Sequence, residues 1–200
     1  MLNKCKGVIC QTLSQERIEE YDIPLLPLRG GNKTGQTNFA CPVDHKNSET
    51  GISSKDRLMV IKELLKNDID PDSLVIPGHQ HVLKISTGGL LTRQGHTESS
   101  SYIVKLAGYI ESAVICEIID TNGVPMRYDT IISFSKENNI DVVLLSDIYK
   151  HFLTSVKIEP RVINFKNPYS LLNNKNVILT GGSSGIGKVL KGKLTGFNCG

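Results

Sequence analysis

From the N-terminus to about residue 155, blocks of strand-like and helix-like hydrophobic spacing follow one another. GVIC (7–10) reads as a short strand, and LSQERIEEYDI (13–23) as a helix with Ser14 as its N-cap. LPLRGGNKTGQ (26–36) is a polar, glycine-bearing loop. TNFACPVDH (37–45) alternates like a strand, with Pro42 placing it at an edge or a bulge. TGISSKDRLMVIKELLK (50–66) predicts the strongest helix: Ser53 and Asp56 form a capping pair, and Leu58, Ile61, Leu64 and Leu65 share one face. VLKIS (82–86) is a strand, ESSSYIVKLAG (98–108) a helix stopped at Gly108, and AVICEII (113–119) an apolar strand expected to be central and buried. YDTIISFSKENN (128–139) is a helix, DVVLL (141–145) a strand, and SDIYKHFL (146–153) a helix capped by Ser146. This order predicts an α+β domain, a mixed sheet flanked by helices.

Composition narrows the function. Hydrophobic residues make up 39% of the 200, enough for a core, and the net charge of +3 is carried by no basic block. Nucleic-acid binding therefore has no support. The five cysteines (Cys5, Cys10, Cys41, Cys116, Cys199) are scattered without a CxxC pair, which argues against a zinc site or a disulfide framework and points to a reduced, cytoplasmic setting. MLNKCKGVIC lacks the apolar stretch of a signal peptide, and no apolar run is long enough to span a membrane.

Candidate chemistry lies in GGLLTRQGHTESS (88–100). Arg93 offers a fork for phosphate or carboxylate, and His96 a metal ligand or proton carrier. The alternative is a surface loop opening a helix, with Thr97 as the N-cap. Glu117 within AVICEII is costly to bury unless it is paired or ligates a cation; a core salt bridge or a solvent-facing position are the structural alternatives. His79 in IPGHQH completes a set that suits a phosphorylated substrate and a hard divalent metal.

Together TGISSKDR (50–57), PGH (77–79), GGLLTRQGHTE (88–98), LAG (106–108) and VICEI (114–118) resemble, in order and spacing, the 3,4-dihydroxy-2-butanone 4-phosphate synthases of riboflavin biosynthesis. The resemblance spans residues 6 to 153. It implies a lyase that converts ribulose 5-phosphate to 3,4-dihydroxy-2-butanone 4-phosphate and formate. It implies a need for Mg2+ (or Mn2+), and a homodimer with its active sites at the subunit interface. By position it makes His96 the metal ligand, and Arg93, Gln94, Gly95, His96 and Thr97 the loop holding the substrate's phosphate end. Glu117 becomes an essential glutamate contacting the sugar, and His79 a second catalytic residue. Neither nucleic acid nor membrane is implied as a partner.

The match has gaps. The family's acidic loop (Asp-Asp-Glu-Asp-Arg-Glu-Asn-Glu-Gly-Asp), source of a metal-binding glutamate, has no counterpart, so residues 1–155 read as a synthase-like domain lacking that loop. Tyr102 stands where the family has aspartate, Glu111–Val114 where it has Pro-Ala-Gly-Val, and Pro125-Met126-Arg127 where it has Met-Ala-Arg. Residues 156–175 read as a linker. NVILTGGSSGIGKVL (176–190) resembles the opening strand, turn and helix of a short-chain dehydrogenase, which implies dinucleotide contacts at Gly181, Gly185 and Gly187. Residues 176–200 thus read as the truncated start of such a domain. A non-catalytic truncated homologue, or a fragment of a fusion with an NAD(P)-dependent oxidoreductase, are the alternatives to the lyase.

Overall fold

The structure, a computed structural model, describes residues 1–29 and 36–156. A one-turn helix α1 (Leu2–Cys5) precedes strand β1 (Cys10–Leu13) and helix α2 (Gln15–Glu20). Then come the short strands β2 (Asn38–Phe39) and β3 (Val43–His45), helix α3 (Ser54–Glu63) and the long strand β4 (Leu74–Lys84). Helix α4 (His96–Leu106), strand β5 (Val114–Ile115) and helices α5 (Tyr128–Asn138) and α6 (Leu145–Ser155) complete the order. The expected linker beyond Val156 and the glycine motif with Gly181, Gly185 and Gly187 lie outside the described residues.

β4 is paired along both edges. β1 runs parallel to it, with Cys10 opposite His81 and Leu13 opposite Lys84. On the other side β2 and β3 both pair with it antiparallel, and the register shifts between Val43 and Asp44. β5 is the antiparallel edge against β1, giving the order β2-β4-β1-β5 with β3 also on β4. The mixed α+β sheet expected from the sequence is therefore present.

Each face of β1 meets a different helix. Leu13 joins Ile18, Tyr21, Ile23, Ala40, Val43, Val60, Leu64 and Val82 in the buried core. Each large side chain sealed there contributes about 1.5–3 kcal/mol. Tyr21 anchors the same side by donating its hydroxyl to the Glu63 carbonyl at 2.7 Å. The opposite face carries a buried hydroxyl relay. Ser101 Oγ donates to the Thr97 carbonyl (2.8 Å), Thr12 Oγ1 lies 2.7 Å from Ser101 Oγ, and the Ala113 N–H donates to Thr12 Oγ1 (2.8 Å). This ties α4, β1 and the approach to β5 into one unit, which is why a serine-rich segment is stable as a buried helix.

Several local expectations hold. Ser14 caps α2 by accepting the Arg17 N–H, and Ser53 caps α3 by accepting the Asp56 N–H at 3.0 Å. Pro42 separates β2 from the bulged β3.

Others are corrected. The first strand starts at Cys10, where ladder partners begin, rather than at Gly7. The inward face of α3 carries Val60 and Leu64, fully buried, whereas Leu58 is exposed. AVICEII is not a central strand: Val114–Ile115 form a short strand at the sheet edge, because β1 has β4 on its other side, and Ile118 and Ile119 make isolated bridges to Lys6 and Pro125. DVVLL forms no strand; Val142, Val143 and Leu144 are exposed and have no ladder to join. Leu144, not Ser146, is the N-cap of α6.

Asp56 is buried, and its carboxylate accepts the N–H groups of Gly51 (3.2 Å) and Glu49 (3.4 Å), fixing the loop before α3. The hydrogen bond with Ser53, joined by these backbone contacts, holds its carboxyl below its usual value near 3.8. A lowered folded-state pKa stabilises the fold above the unfolded-state value, and that contribution is lost as pH falls through it. Asp56→Asn should therefore lower the melting temperature at pH 7 and flatten its decline between about pH 5 and pH 3. A variant as stable as the parent at pH 7 would show that this carboxylate does not hold the loop.

Candidate functional site

The Arg93–Thr97 loop is shaped by the carboxylate that follows it, Glu98. Glu98 is buried: Oε2 pairs with Arg93 Nη1 at 2.6 Å, and Oε1 accepts the Ser86 N–H at 3.1 Å. Arg93 Nη2 also donates to Thr37 Oγ1 at 2.8 Å. The guanidinium thus braces the loop against the end of β4 and the segment before β2. It passes so close to Gly95 that a Cβ there would lie 2.3 Å from Nη1. A larger residue at this place would push the guanidinium from its position.

Helix α4 starts at His96, with Gly95 as its N-cap and no side-chain cap hydrogen bond. Thr97 is therefore not the N-cap; it is buried, and its carbonyl accepts from Ser100 and Ser101. With no side chain folded over them, the first N–H groups of α4 present the positive end of the helix at the loop. Gln94 precedes the N-cap, and His96 is the first residue of the helix.

His79 sits within β4 rather than at a strand end. Its Nδ1 is 2.8 Å from Asp44 Oδ2, and its own N–H donates to Asp44 Oδ1 at 3.0 Å. The ring is about half exposed, while the Asp44 side chain is 15% exposed. Asp44 was not among the expected site residues. An aspartate inside a strand is unusual enough to have drawn attention, since strands are depleted in it.

Glu117 is exposed, with Oε2 accepting the Val8 N–H at 2.9 Å. The expected burial is corrected: this residue lies between the end of β5 and the bridge of Ile118 to Lys6, on the exposed side, and accepts one backbone amide. Its charge reaches inward all the same. Burial pushes the nearby Cys10 thiol up to about 11, and the Glu117 charge pushes in the same direction.

The register places these groups in two sets. Ile85 donates to the Leu13 carbonyl and Ser86 to Glu98, so α4 begins where β1 and β4 end. His79 lies seven residues before Ser86, roughly 20 Å away at about 3.3 Å per residue. Glu117 is tied to Val8, ahead of β1, at that same far end. Within one chain the loop with Arg93 and His96 does not meet His79 or Glu117.

The donor set does not suit Mg2+. Among the described residues, no three His, Cys, Asp or Glu side chains group to hold a metal ion. Glu98, the acid closest to His96 in sequence, is engaged by Arg93 and Ser86. One imidazole nitrogen does not fit an ion that prefers oxygen, so the described residues of a single chain do not form a Mg2+ site.

Residues 1–151 match the family model of 3,4-dihydroxy-2-butanone 4-phosphate synthase. A synthase of that name from Shewanella loihica is 34% identical over 149 residues, covering 74% of this chain and 68% of its own. The riboflavin biosynthesis protein RibBA of Aquifex aeolicus is 34% identical over 167 residues, covering 82% of this chain and 41% of its own. Among solved structures, the two-domain synthase RibBX of A. baumannii superposes with a TM-score of 0.74 at 29% identity, covering 78% of this chain and 46% of its own. A synthase in complex with two magnesium ions gives 0.70 at 29%, covering 78% and 77%. The chain belongs to the 3,4-dihydroxy-2-butanone 4-phosphate synthase family.

Two outcomes follow from this geometry. Glu98→Gln removes the carboxylate charge that faces Arg93 and should destabilise the fold by about 2 kcal/mol, below the range for fully buried pairs because Arg93 retains some exposure. Chemical denaturation reads this, and an unchanged midpoint would contradict the brace. Calorimetric titration of the free protein with Mg2+ should show only weak binding, in the millimolar range or above. Micromolar binding would mean that a carboxylate reaches His96.

Proposed function

We propose that this chain catalyses the riboflavin-pathway lyase reaction, converting ribulose 5-phosphate to 3,4-dihydroxy-2-butanone 4-phosphate and formate. The reading rests on the presence of both motif sets, PGH with CEI and RQGHT, inside a folded unit whose residues 1–151 match the family. The atoms of the substrate equal those of the two products. The protein therefore has to move protons and hold a rearranging carbon skeleton, with no co-substrate.

The roles follow from where each group lies. The uncapped first turn of α4 and the loop of Arg93, Gln94, Gly95, His96 and Thr97 receive the phosphate end of the substrate. His79 moves a proton through Nε2, the ring nitrogen not facing Asp44, and Glu117 meets the sugar hydroxyls. A divalent ion, Mg2+ or Mn2+, would take one nitrogen from His96 and its oxygen ligands from outside the described residues of one chain. Four of the cysteines are free thiols, which suits the cytoplasm.

The separation of the two sets along β4 favours a homodimer, in which His79 and Glu117 of one chain face the His96 loop of another. Exposed apolar surface supports it: α5 buries none of its residues, and Leu106, Tyr109 and Val143 are open. A second reading, a non-catalytic sugar-phosphate binder, draws on the incomplete metal donor set.

Incubation with ribulose 5-phosphate and Mg2+ should release formate, and His96→Ala or His79→Ala should reduce turnover by about a hundredfold or more. No formate at high protein concentration would favour the binder. Mixing the two variants should restore about a quarter of the parental rate, since half the dimers would be mixed and each would hold one intact site of two. No recovery after subunit exchange would refute the shared site.

A further inference from the structure

Asp44 grips His79 at two points, ring and backbone, and three neighbouring features aim it there. The register jumps between Val43, which faces Gln80, and Asp44, which faces Val75, so residues 76–79 of β4 bulge from the ladder and His79 comes beside the aspartate. Gly51, at φ +79°, packs so tightly on the carboxylate that a Cβ would lie 2.3 Å from Oδ2. Gly78 leaves room for the bulge itself, since a Cβ there would lie 2.2 Å from the Asp44 nitrogen. Gly51 is in turn held by Asp56, whose carboxylate accepts its N–H. Ser53, Asp56, Gly51, Asp44 and His79 thus form one chain of contacts from the start of α3 to the imidazole.

A carboxylate accepts and cannot donate, so the ring nitrogen facing Asp44 carries the hydrogen. Nδ1–H then points at Oδ2, and Nε2 presents its lone pair away from Asp44, on a ring that is 47% exposed. We propose that Asp44 is the positioning residue for His79, fixing the tautomer and ring orientation that leave Nε2 ready to accept a proton from the substrate. This rests on the reading of His79 as a catalytic group, and Asp44 itself need not touch substrate.

The test has one arm that needs no turnover. Nitrogen-15 correlation spectra of the imidazoles, with His79 assigned by its absence in His79→Ala, should show the parent protein's His79 as the Nδ1–H tautomer. In Asp44→Asn that preference should be lost. In the kinetic arm, Asp44→Asn should lower kcat for formate release by about 10- to 100-fold, with KM and melting temperature little changed. Added to His79→Ala, it should cost nothing further. A parent His79 in the Nε2–H tautomer overturns the proposal whether or not the variant folds. So does an equal loss of kcat from Asp44→Asn in the presence and absence of the imidazole. A spectrum as expected, in a protein that releases no formate, would uphold the hold on the ring while removing the lyase reading.

Discussion

The fold depends on β4 having both edges satisfied. A strand of eleven residues offers hydrogen-bonding groups on each side, and every other strand except β5 is placed by pairing with it. β1 takes one edge in parallel; β2 and β3 divide the other between them, antiparallel. Within β3 the register jumps between Val43 and Asp44, so residues 76–79 of β4 bulge and His79 comes beside the Asp44 carboxylate. The irregularity that gives the site its geometry is this bulge in the long strand.

Helix starts carry much of the remaining order, in two different ways. At α3, Ser53 caps the backbone and leaves the Asp56 carboxylate to hold the loop before it. At α4, Gly95 caps nothing with a side chain, because the guanidinium of Arg93 occupies the space a side chain would need. The first helix start is therefore closed and structural. The second is open, with its amides turned toward whatever enters the loop.

Local rules written in neighbouring residues are legible in the sequence: the serine caps at Ser14 and Ser53, the interruption at Pro42, and helices within 13–23, 128–139 and 146–153, though not their exact starts. Expectations that depend on distant partners are not met. AVICEII looked central because an apolar run signals burial without saying which strands will be available to pair. DVVLL looked like a strand, but its neighbours offer it no ladder. Among the site residues, the motifs located His79, Arg93, His96 and Glu117, but not the groups that hold them. Glu98 ends the quoted motif without its sequence showing that it would hold Arg93, Asp44 is tied to His79 by a tertiary approach across 35 residues that spacing does not encode, and the distance between the two motif sets follows only from the register of β1 on β4.

Cys10 lies at the start of the central parallel pair, buried, and its thiol ionises only near pH 11. Because the thiolate is the form that reacts, at neutral pH this sulfur is a poor nucleophile toward peroxides, alkylating reagents or a disulfide partner. The same surroundings that support the sheet thus make its innermost cysteine chemically silent. A carboxylate sitting just outside the strand strengthens that silence, since a second negative charge beside Glu117 would be repelled. The middle of the sheet is in this way protected from oxidative chemistry without any dedicated device.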